Sequence, residues 1–446
     1  MAEPRRTHLS VRQEQAVLVG VILPDSTADP REPLSELASL AKTAGARVAG
    51  TILQRRQRPD AGTYIGTGKA IEIAEMARAL KANVVLFDND LSPAQIGSLE
   101  KLINKHVDSG HDAGIKVLDR SELILDIFAA RAQTAEAKLQ VELAQLQYTY
   151  PRLTRMWNHL ERLQSGAVAG LGTRGPGETQ LETDRRLVRK RVSELRGGIE
   201  RVQERKTRQV EARNVDHYTV CVVGYTNAGK STLFNTLTAA GTYADDKLFA
   251  TLDTKTRAWR LERGIEVLLS DTVGFVRDLP HLLVASFKAT LEEAVHADLL
   301  LHVLDVSHPR AQQQYQAVHD VLTEIGAAGK PELLLLNKVD TDDGKENAAF
   351  WKTLHPAALP ISARTGEGLG HLQEQVLAYV RGQQSDVRLE CDVTNGRLIQ
   401  FIRSRTRVNE EQFDDETARF DVTVGKQLLQ QLRQNEDLRV LDTAHV

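Results

Sequence analysis

The stretch Gly224–Thr232, which reads Gly-Tyr-Thr-Asn-Ala-Gly-Lys-Ser-Thr, decides how the middle of this 446-residue chain folds. It follows a short apolar run, 218–223, and leads into apolar residues at helical spacing, 233–237. The pattern therefore predicts a strand, a tight loop and a helix, and the spacing G-x-x-x-x-G-K-S is typical of a phosphate-binding loop. Gly224 and Gly229 allow a backbone path that a Cβ would block. Loop N–H groups and the helix N-terminus then point at phosphate oxygens, Lys230 adds a cation, and the Ser231 hydroxyl is a Mg²⁺ ligand.

Three more motifs follow in order, each at the carboxyl end of a predicted strand. Asp271-Thr272-Val273-Gly274 suits an Asp that holds Mg²⁺ through water and a Gly whose N–H senses a γ-phosphate. Asn337-Lys338-Val339-Asp340 places a carboxylate where it accepts from N1–H and N2–H₂ of guanine, a donor pair that adenine lacks. Ser362-Ala363-Arg364 fits the last loop on the base side. Together the four motifs predict a phosphate-loop domain that binds GTP and GDP and hydrolyses GTP.

A mobile switch is expected between the phosphate loop and Asp271, at Phe249-Ala250-Thr251-Leu252-Asp253. A Thr hydroxyl in this segment completes the Mg²⁺ shell only when a γ-phosphate is present. By spacing alone, Thr251 and Thr254 are both candidates for this Mg²⁺ ligand. GTP with Mg²⁺ is expected to order 249–253 and 271–276.

Composition restricts the other possibilities. The apolar content of 41% and charged content of 26% are ordinary for a globular protein, and the length predicts about three domains. With a net charge of −3, any attraction to nucleic acid must come from a local patch. Cys221 and Cys391 allow no disulfide framework or Cys-rich metal site. We expect no membrane span and a cytoplasmic location, with peripheral membrane association left open.

The N-terminal part, 1–119, alternates predicted strands and helices, which indicates a small parallel sheet with helices on it. Gly66-Thr67-Gly68-Lys69 resembles half of a phosphate loop, but Thr63 replaces its first Gly and Ala70 its Ser or Thr. Either a second nucleotide site, for ATP or GTP, or a plain turn before a helix fits this segment. Asp88-Asn89-Asp90 is expected to be a solvated turn and not a metal cluster.

A helical hairpin is predicted over 120–215. Apolar residues step by four and three along both of its halves, which is the pattern of two helices packed along a seam. The connector 165–180 is rich in glycine and is expected to be a flexible loop. The seam residues are Leu139, Leu143, Leu146, Tyr150 and Leu153 in the first half, and Val188, Val192, Leu195, Ile199 and Val202 in the second.

Positive charge collects on this hairpin. Between Arg152 and Arg213 there are fifteen Arg and Lys against eight Asp and Glu, a net charge of +7 in a chain of net −3. We interpret the excess as an arm that contacts RNA phosphates, while a solvated coiled-coil face of mixed charge stays open as the alternative. The candidate RNA contacts are Arg174, Arg185, Arg186, Arg189, Lys190 and Arg191.

The predicted fold class is α/β. A phosphate-loop GTPase domain, 216–384, has a mostly parallel sheet with helices on both faces. It is preceded by the α/β N-terminal domain with its long antiparallel hairpin. A small α/β domain, 385–446, follows it, because apolar residues alternate over 387–393 and 420–424.

With these residues in hand, the chain resembles the HflX family within the Obg-HflX-like translational GTPases. The resemblance rests on residues 224–232, on F-A-T-L-D at 249–253, on D-T-V-G-F at 271–275 and on N-K-V-D at 337–340. Its most specific part is G-L-G-T-R-G-P-G-E-T-Q-L-E-T-D-R-R at 170–186, because other GTPases share the nucleotide motifs. The resemblance implies that Thr251, rather than Thr254, is the second Mg²⁺ ligand beside Ser231.

The family also implies a partner, the large ribosomal subunit and its rRNA. Its helical arm and Gly-rich loop point towards the peptidyl transferase centre, and some members split stalled or idle ribosomes under stress. Some members are reported to use adenine nucleotides through the N-terminal domain. Asn227 is similar to the residue that holds K⁺ in cation-dependent GTPases. Phe275 stands where many GTPases have a water-orienting Gln, which predicts slow intrinsic hydrolysis.

The expected site residues are these. Catalytic roles fall to Lys230, Ser231, Thr251, Gly274 and Asn227, and Mg²⁺ is held by Ser231 and Thr251 directly and by Asp271 through water. The nucleotide contacts are Gly224, Tyr225, Thr226, Asn227, Ala228, Gly229, Lys230, Ser231, Thr232, Phe249, Ala250, Thr251, Leu252, Asp253, Asp271, Thr272, Val273, Gly274, Asn337, Lys338, Val339, Asp340, Ser362, Ala363 and Arg364.

Two other functions stay open. One is a GTPase that assists ribosome assembly, and the other is a protein-scaffold signalling GTPase whose hairpin is a solvated stalk. Salt separates RNA binding from scaffolding, because phosphate contacts weaken steeply with added salt. We expect a monomer that does not bind DNA.

Overall fold

The computed structural model describes residues 14–24, 31–106, 114–148, 176–216, 218–238, 254–262, 265–277, 291, 293–435 and 437–442. The chain forms two compact units. The first contains the residues up to Gln203 together with the segment that begins at Val273, and the second contains most of the remainder up to the C-terminus. No helix among the described residues is both long enough and apolar enough to cross a bilayer.

The first unit is built on a four-stranded parallel sheet in the order β2-β1-β3-β4. Odd and even residues of β1 enter two different cores, one on each face: Ala16 and Leu18 in the first, Val17 and Val19 in the second. Both faces are therefore covered, which is why these strands read as near-continuous apolar runs. The elements are β1 Gln15–Ile22, α1 Ser35–Ala44, β2 Arg47–Arg55, α2 Thr67–Ala79, β3 Val84–Phe87, α3 Pro93–His106, β4 Lys116–Asp119 and α4 Arg120–Arg131.

The hairpin begins later in the structure than the sequence predicts, because α4 belongs to the N-terminal layer. The sequence assigns residues from 120 onward to the hairpin, but α4 buries Leu123, Ile124 and Phe128 in the same core as β1. Asp119 ends β4 and caps α4, since its side chain accepts a hydrogen bond from the Glu122 N–H. The N-terminal layer therefore extends to Arg131.

The hairpin consists of α5, described over 135–148, and α6, Pro176–Asp216. Leu143 packs between Leu195 and Ile199 along the predicted seam. The helices run antiparallel, because Leu139 lies beside Gly198 and Glu142 pairs with Arg191. Residues 176–180, predicted as the end of the flexible loop, are helical instead; Pro176 suits the first position of a helix, where its missing N–H has no partner to lose.

The second unit contains a six-stranded sheet in the order β10-β9-β8-β5-β7-β6, parallel except for β6. Parallel strands bring their carboxyl ends to one edge, so the four sequence motifs meet there. The predicted phosphate-loop α/β fold is confirmed. The elements are β5 Thr219–Gly224, α7 Lys230–Leu237, β6 Lys255–Glu262, β7 Ile265–Asp271, β8 Leu299–Asp305, α8 Ala311–Glu324, β9 Glu332–Asn337, α9 Asp342–Leu354, β10 Leu359–Pro360 and α10 Leu369–Gly382.

The C-terminal residues form an antiparallel sheet in the order β12-β13-β11-β14 with helices on it. Its core contains Leu389, Phe420 and Val422, the alternating positions of the predicted strands. The elements are β11 Gln384–Asp392, α11 Gly396–Arg405, β12 Arg407–Phe413, β13 Thr417–Gly425, α12 Lys426–Arg433 and β14 Leu438–Asp442.

A network of buried charges ties the first unit together. The Arg120 guanidinium lies 2.8 Å from Glu36 Oε1 and 2.8 Å from Asp88 Oδ1. Arg277, from the segment after β7, lies 2.7 Å from Asp88 Oδ2, and its carbonyl accepts a hydrogen bond from Arg120. The expected solvated turn at 88–90 is therefore wrong for Asp88, whose carboxylate is buried between two arginines. Partners 32 and 189 residues away explain why a local sequence pattern could not predict this.

We predict that Arg120→Ala destabilises the first unit by about 3–5 kcal/mol, because it leaves the Glu36 and Asp88 carboxylates buried with only part of their counter-charge. Hydrogen exchange of the β3 and β4 amides in the full chain measures this loss. As a control, Arg388→Ala removes the exposed ion pair with Asp421 and should leave exchange in the C-terminal sheet nearly unchanged. Unchanged protection of β3 in Arg120→Ala would contradict the assigned role.

Candidate functional site

The phosphate-binding loop joins β5 to α7 at the carboxyl edge of the six-stranded sheet. Gly224 has φ +150° and Gly229 has φ +98°, which L side chains rarely adopt. A Cβ on Gly224 would overlap the Val303 carbonyl oxygen, and one on Gly229 would overlap the Asn337 side chain. The loop backbone therefore passes too close to its neighbours for any side chain at these two positions.

Lys230, the first residue of α7, is buried and its ammonium donates a 2.7 Å hydrogen bond to the Tyr225 carbonyl. Burial lowers the pKa of Lys230 to about 8, and the nearby Asp271 carboxylate opposes only part of this shift. A buried cation held inside a loop of converging N–H groups is suited to phosphate oxygens.

Oxygen donors lie beside this lysine. The Ser231 hydroxyl donates to Asp271 Oδ2 at 2.8 Å, and Asp271 is the last residue of β7. The next residue, Thr272, is buried and fixes the strand end by donating to the Val222 carbonyl at 2.7 Å. A hydroxyl and a carboxylate at hydrogen-bond distance are hard oxygen ligands, so this donor set fits Mg²⁺.

Asn337, the last residue of β9, connects the phosphate side to the base side. Its Nδ2 donates to the Ala228 carbonyl at 2.7 Å, and its Oδ1 accepts from the Ala363 N–H at 3.0 Å. With 2% of its surface exposed, Asn337 is an internal brace between two loops. Its contact with the nucleotide stays a prediction.

Asp340 is partly exposed and lies beside the loop that carries Ser362. Its Oδ1 accepts a 2.8 Å hydrogen bond from Ser362 Oγ, which fixes the carboxylate orientation. Lys338 has φ +69°, and its ammonium lies 2.6 Å from Asp305 Oδ2 at the end of β8. Asp305 was not predicted as a site residue from the sequence. Its position directly after an apolar strand run, next to the other motif-bearing strands, is the signal that could have identified it.

The other predicted site residues are distributed as follows. Asn227, at φ +61°, and Arg364 are exposed, whereas Phe275 is buried. Residues predicted for the switch, Phe249, Ala250, Thr251, Leu252 and Asp253, lie outside the described residues, as do Arg174 and the side chain of Arg185.

Two further predictions concern residues outside the nucleotide loops, the segment 66–69 and the cations of α6. Gly66 precedes α2, and the Lys69 ammonium lies 2.6 Å from Glu72 of the same helix. On α6, Arg186, Arg189 and Lys190 are exposed. Arg191 is also half exposed, but its guanidinium is paired with both oxygens of Glu142 at 2.8 and 2.9 Å.

Family models described as "GTP-binding GTPase N-terminal", "GTP-binding GTPase Middle Region" and "50S ribosome-binding GTPase" match residues 31–129, 131–213 and 219–338. The protein named GTPase HflX of Alkalihalophilus pseudofirmus is 42% identical over 90% of this chain and 91% of its own. The GTPase HflX of Escherichia coli K12 is 46% identical over 86% of this chain and 87% of its own.

The chain belongs to the HflX GTPase family. The resemblance predicted from residues 170–186 and the nucleotide motifs is thereby confirmed. The N-terminal family model ends at residue 129 and the middle-region model begins at 131. In the structure, α4 packs on the N-terminal sheet up to the same part of the chain. GTP and GDP binding and GTPase activity follow from membership in this family.

We predict that GDP affinity of this HflX protein falls roughly tenfold between pH 7 and pH 9. Nucleotide phosphates stabilise the Lys230 ammonium, so the complex keeps a proton that the free protein loses above its pKa of about 8. Binding at higher pH therefore requires proton uptake and becomes weaker. Fluorescence titration with labelled GDP measures the trend.

The variant Lys230→Arg is the control, since a guanidinium stays charged throughout this range and should give a flat profile. A flat profile in the unaltered protein would contradict the buried, titrating Lys230.

Proposed function

We propose that this protein is a GTP-driven switch that binds the large ribosomal subunit through its basic hairpin and dissociates stalled or idle ribosomes into subunits under stress. The observation that carries the proposal is the exposed cationic face of α6, with Arg186, Arg189 and Lys190 in solvent. The family description "50S ribosome-binding GTPase" for 219–338 supports the choice of partner.

The cations on α6 are suited to RNA phosphates rather than to internal pairing. Lys190 approaches Glu194 only to 3.9 Å with both side chains more than half exposed, so water screens the pair. Arg191 is engaged by Glu142 and stiffens the hairpin instead. Aromatic residues are sparse along the hairpin, which favours phosphate and shape contacts over base stacking.

Nucleotide state is proposed to act through Mg²⁺. Ser231 and Thr251 would hold the ion directly and Asp271 through water, as their oxygen chemistry allows. When bound, Mg²⁺ neutralises charge that develops on the phosphates. Lys230 binds the β- and γ-phosphates, the Gly274 N–H faces the γ-phosphate, and Asp340 selects guanine. Loss of the γ-phosphate releases the switch segments and with them the ribosome-bound state.

Hydrolysis by the protein alone is proposed to be slow. Phe275 follows the Asp-x-x-Gly motif and is buried, so it has no group that could orient the attacking water. Asn227 lies exposed in the phosphate loop with φ +61°, where its side-chain oxygen is available to a monovalent cation. K⁺ held there would add positive charge beside the phosphates.

We predict that GTP hydrolysis is faster in K⁺ than in Na⁺ at equal ionic strength, and that Asn227→Ala abolishes the difference while GDP still binds. Phosphate release measured in both salts checks this, and the same measurement on Gly370→Ala, a change on an exposed turn of α10, is the control. Equal rates in K⁺ and Na⁺ would contradict a cation role for Asn227.

We predict that isolated large ribosomal subunits stimulate GTP hydrolysis in K⁺ buffer, and that the triple variant Arg186→Glu, Arg189→Glu, Lys190→Glu loses most of this stimulation. It should also lower the slope of log affinity against log salt by about two to three, since each phosphate contact contributes about 0.7–0.9. Sedimentation of intact ribosomes with the protein and GTP then reports splitting.

Arg397→Glu, Arg407→Glu, Arg439→Glu is the matched control, because it reverses three exposed arginines of the C-terminal domain. Stimulation without splitting would favour the assembly function. An absence of stimulation and of salt-dependent binding would favour protein scaffolding and overturn the proposal.

A further inference from the structure

Two histidines and a glutamate meet on the face of the six-stranded sheet that α8 covers. His302 lies in β8, Glu332 is the first residue of β9, and His319 lies in α8. In the parallel register His302 pairs with Leu334, so Glu332 sits two residues away along β9 and projects to the same face. These three residues, the His302 cluster, belong to neither the phosphate loop nor the base-side loops.

The spacing of their ligand atoms is that of a metal site. His302 Nδ1 lies 2.9 Å from Glu332 Oε1, and His319 Nε2 lies 3.6 Å from the same oxygen. One ligand atom from each residue falls within 4.8 Å of the others. Tetrahedral zinc with bonds of about 2.0–2.1 Å places its ligand atoms about 3.3 Å apart. Two of the three separations bracket that value, and the third lies within 4.8 Å.

Hydrogen bonding alone leaves the His302 cluster incomplete. A separation of 3.6 Å is too long for a hydrogen bond between His319 and Glu332. Among the residues that the structure describes, His319 Nε2 has no hydrogen-bond partner, although the atom is buried. Buried polar atoms in folded proteins nearly always have one. A cation bound by His319 Nε2 and Glu332 Oε1 would give His319 Nε2 the partner that a direct hydrogen bond cannot provide at 3.6 Å.

The donor types suit a transition metal. The His302 Nδ1–H donates a 2.9 Å hydrogen bond to Glu332 Oε1, and Zn²⁺ would take the place of that proton. Neutral imidazole with carboxylate is a common ligand set for Zn²⁺, whereas Mg²⁺ prefers oxygen ligands alone.

Aromatic rings hold the cluster in place and leave one side accessible. Tyr315 stacks on His302 at 5.3 Å with an interplanar angle of 2°, and meets His319 edge-on at 4.4 Å. Trp351 and His355 close the far side of Tyr315. The His319 side chain is 33% exposed although its Nε2 is buried, so the His302 cluster lies just beneath the surface.

We propose that His302, His319 and Glu332 form a Zn²⁺-binding site in the GTPase domain, with water at the fourth position. The ion fastens α8 to β8 and β9. Its position on β8, the strand beside β5, places it behind the phosphate loop and apart from the Mg²⁺ donors Ser231 and Asp271.

The test is Zn²⁺ titration of the untagged full-length protein against a chromogenic chelator, with excess Mg²⁺ and GDP present. We expect one tight site per chain in the unaltered protein. His319→Ala and Glu332→Gln should weaken it by about 100-fold or more, beyond the roughly 10–100-fold that loss of an outer-shell partner costs. Both residues are partly exposed, so these variants avoid emptying the buried His302 position. His371→Ala removes an exposed histidine that lies 3.4 Å from a carboxylate, and should bind like the unaltered protein.

Co²⁺ substitution gives the second readout. A visible absorption band typical of tetrahedral Co²⁺ should appear with one equivalent and be lost or shifted in His319→Ala and Glu332→Gln, but not in His371→Ala. The proposal is overturned if the unaltered protein has no stoichiometric site. It is equally overturned if His319→Ala and Glu332→Gln both retain unaltered affinity and spectrum, since the zinc would then lie elsewhere.

Discussion

The buried side chain of Asn337 is the interaction on which the nucleotide site depends. Its amide donates to the Ala228 carbonyl and its oxygen accepts from the Ala363 N–H, so one residue holds the phosphate loop and the base-side loop at a fixed separation. The same closeness explains Gly229, since any side chain there would meet the Asn337 amide. Parallel strands deliver these loops to one sheet edge, and Asn337 then sets their spacing.

Buried charge is used differently in the two units. In the first unit, Arg120 meets two carboxylates and stays compensated within the protein. In the second, Lys230 is buried with a carbonyl partner and its pKa falls to about 8. A nucleotide phosphate is proposed to supply counter-charge to this ammonium on binding. The Asp271 carboxylate accepts a hydrogen bond from Ser231, and the two are proposed to hold a divalent ion.

Much of the fold and of the nucleotide site could be predicted from sequence, because both rest on local patterns. The nucleotide motifs were predicted to stand at strand ends, and Asp271 ends β7 as Asn337 ends β9. The seam at Leu143 and Leu195 followed from helical spacing. The antiparallel C-terminal sheet and the helical start at Pro176 were not predicted in that form.

The rest depends on contacts between residues far apart in the chain. The sequence around Asp88 predicts a solvated turn, but in the structure its carboxylate is paired with Arg120 and Arg277. The His302 cluster carries no motif at all, because its members come from two strands and a helix. Such groups are recognised only when topology brings them to one face.

The most direct test of the guanine site is the nucleotide selectivity of the Asp340→Asn variant. Asp340 is proposed to accept from both guanine donors, whereas an Asn amide would donate to the oxygen that xanthine carries at C2. The variant should lose at least about 100-fold in affinity for GDP, because buried polar groups are left unpaired, and gain affinity for xanthosine diphosphate (XDP). If Asp340→Asn still binds GDP tightly and ignores XDP, Asp340 does not read the base and the proposed geometry of the guanine site is wrong.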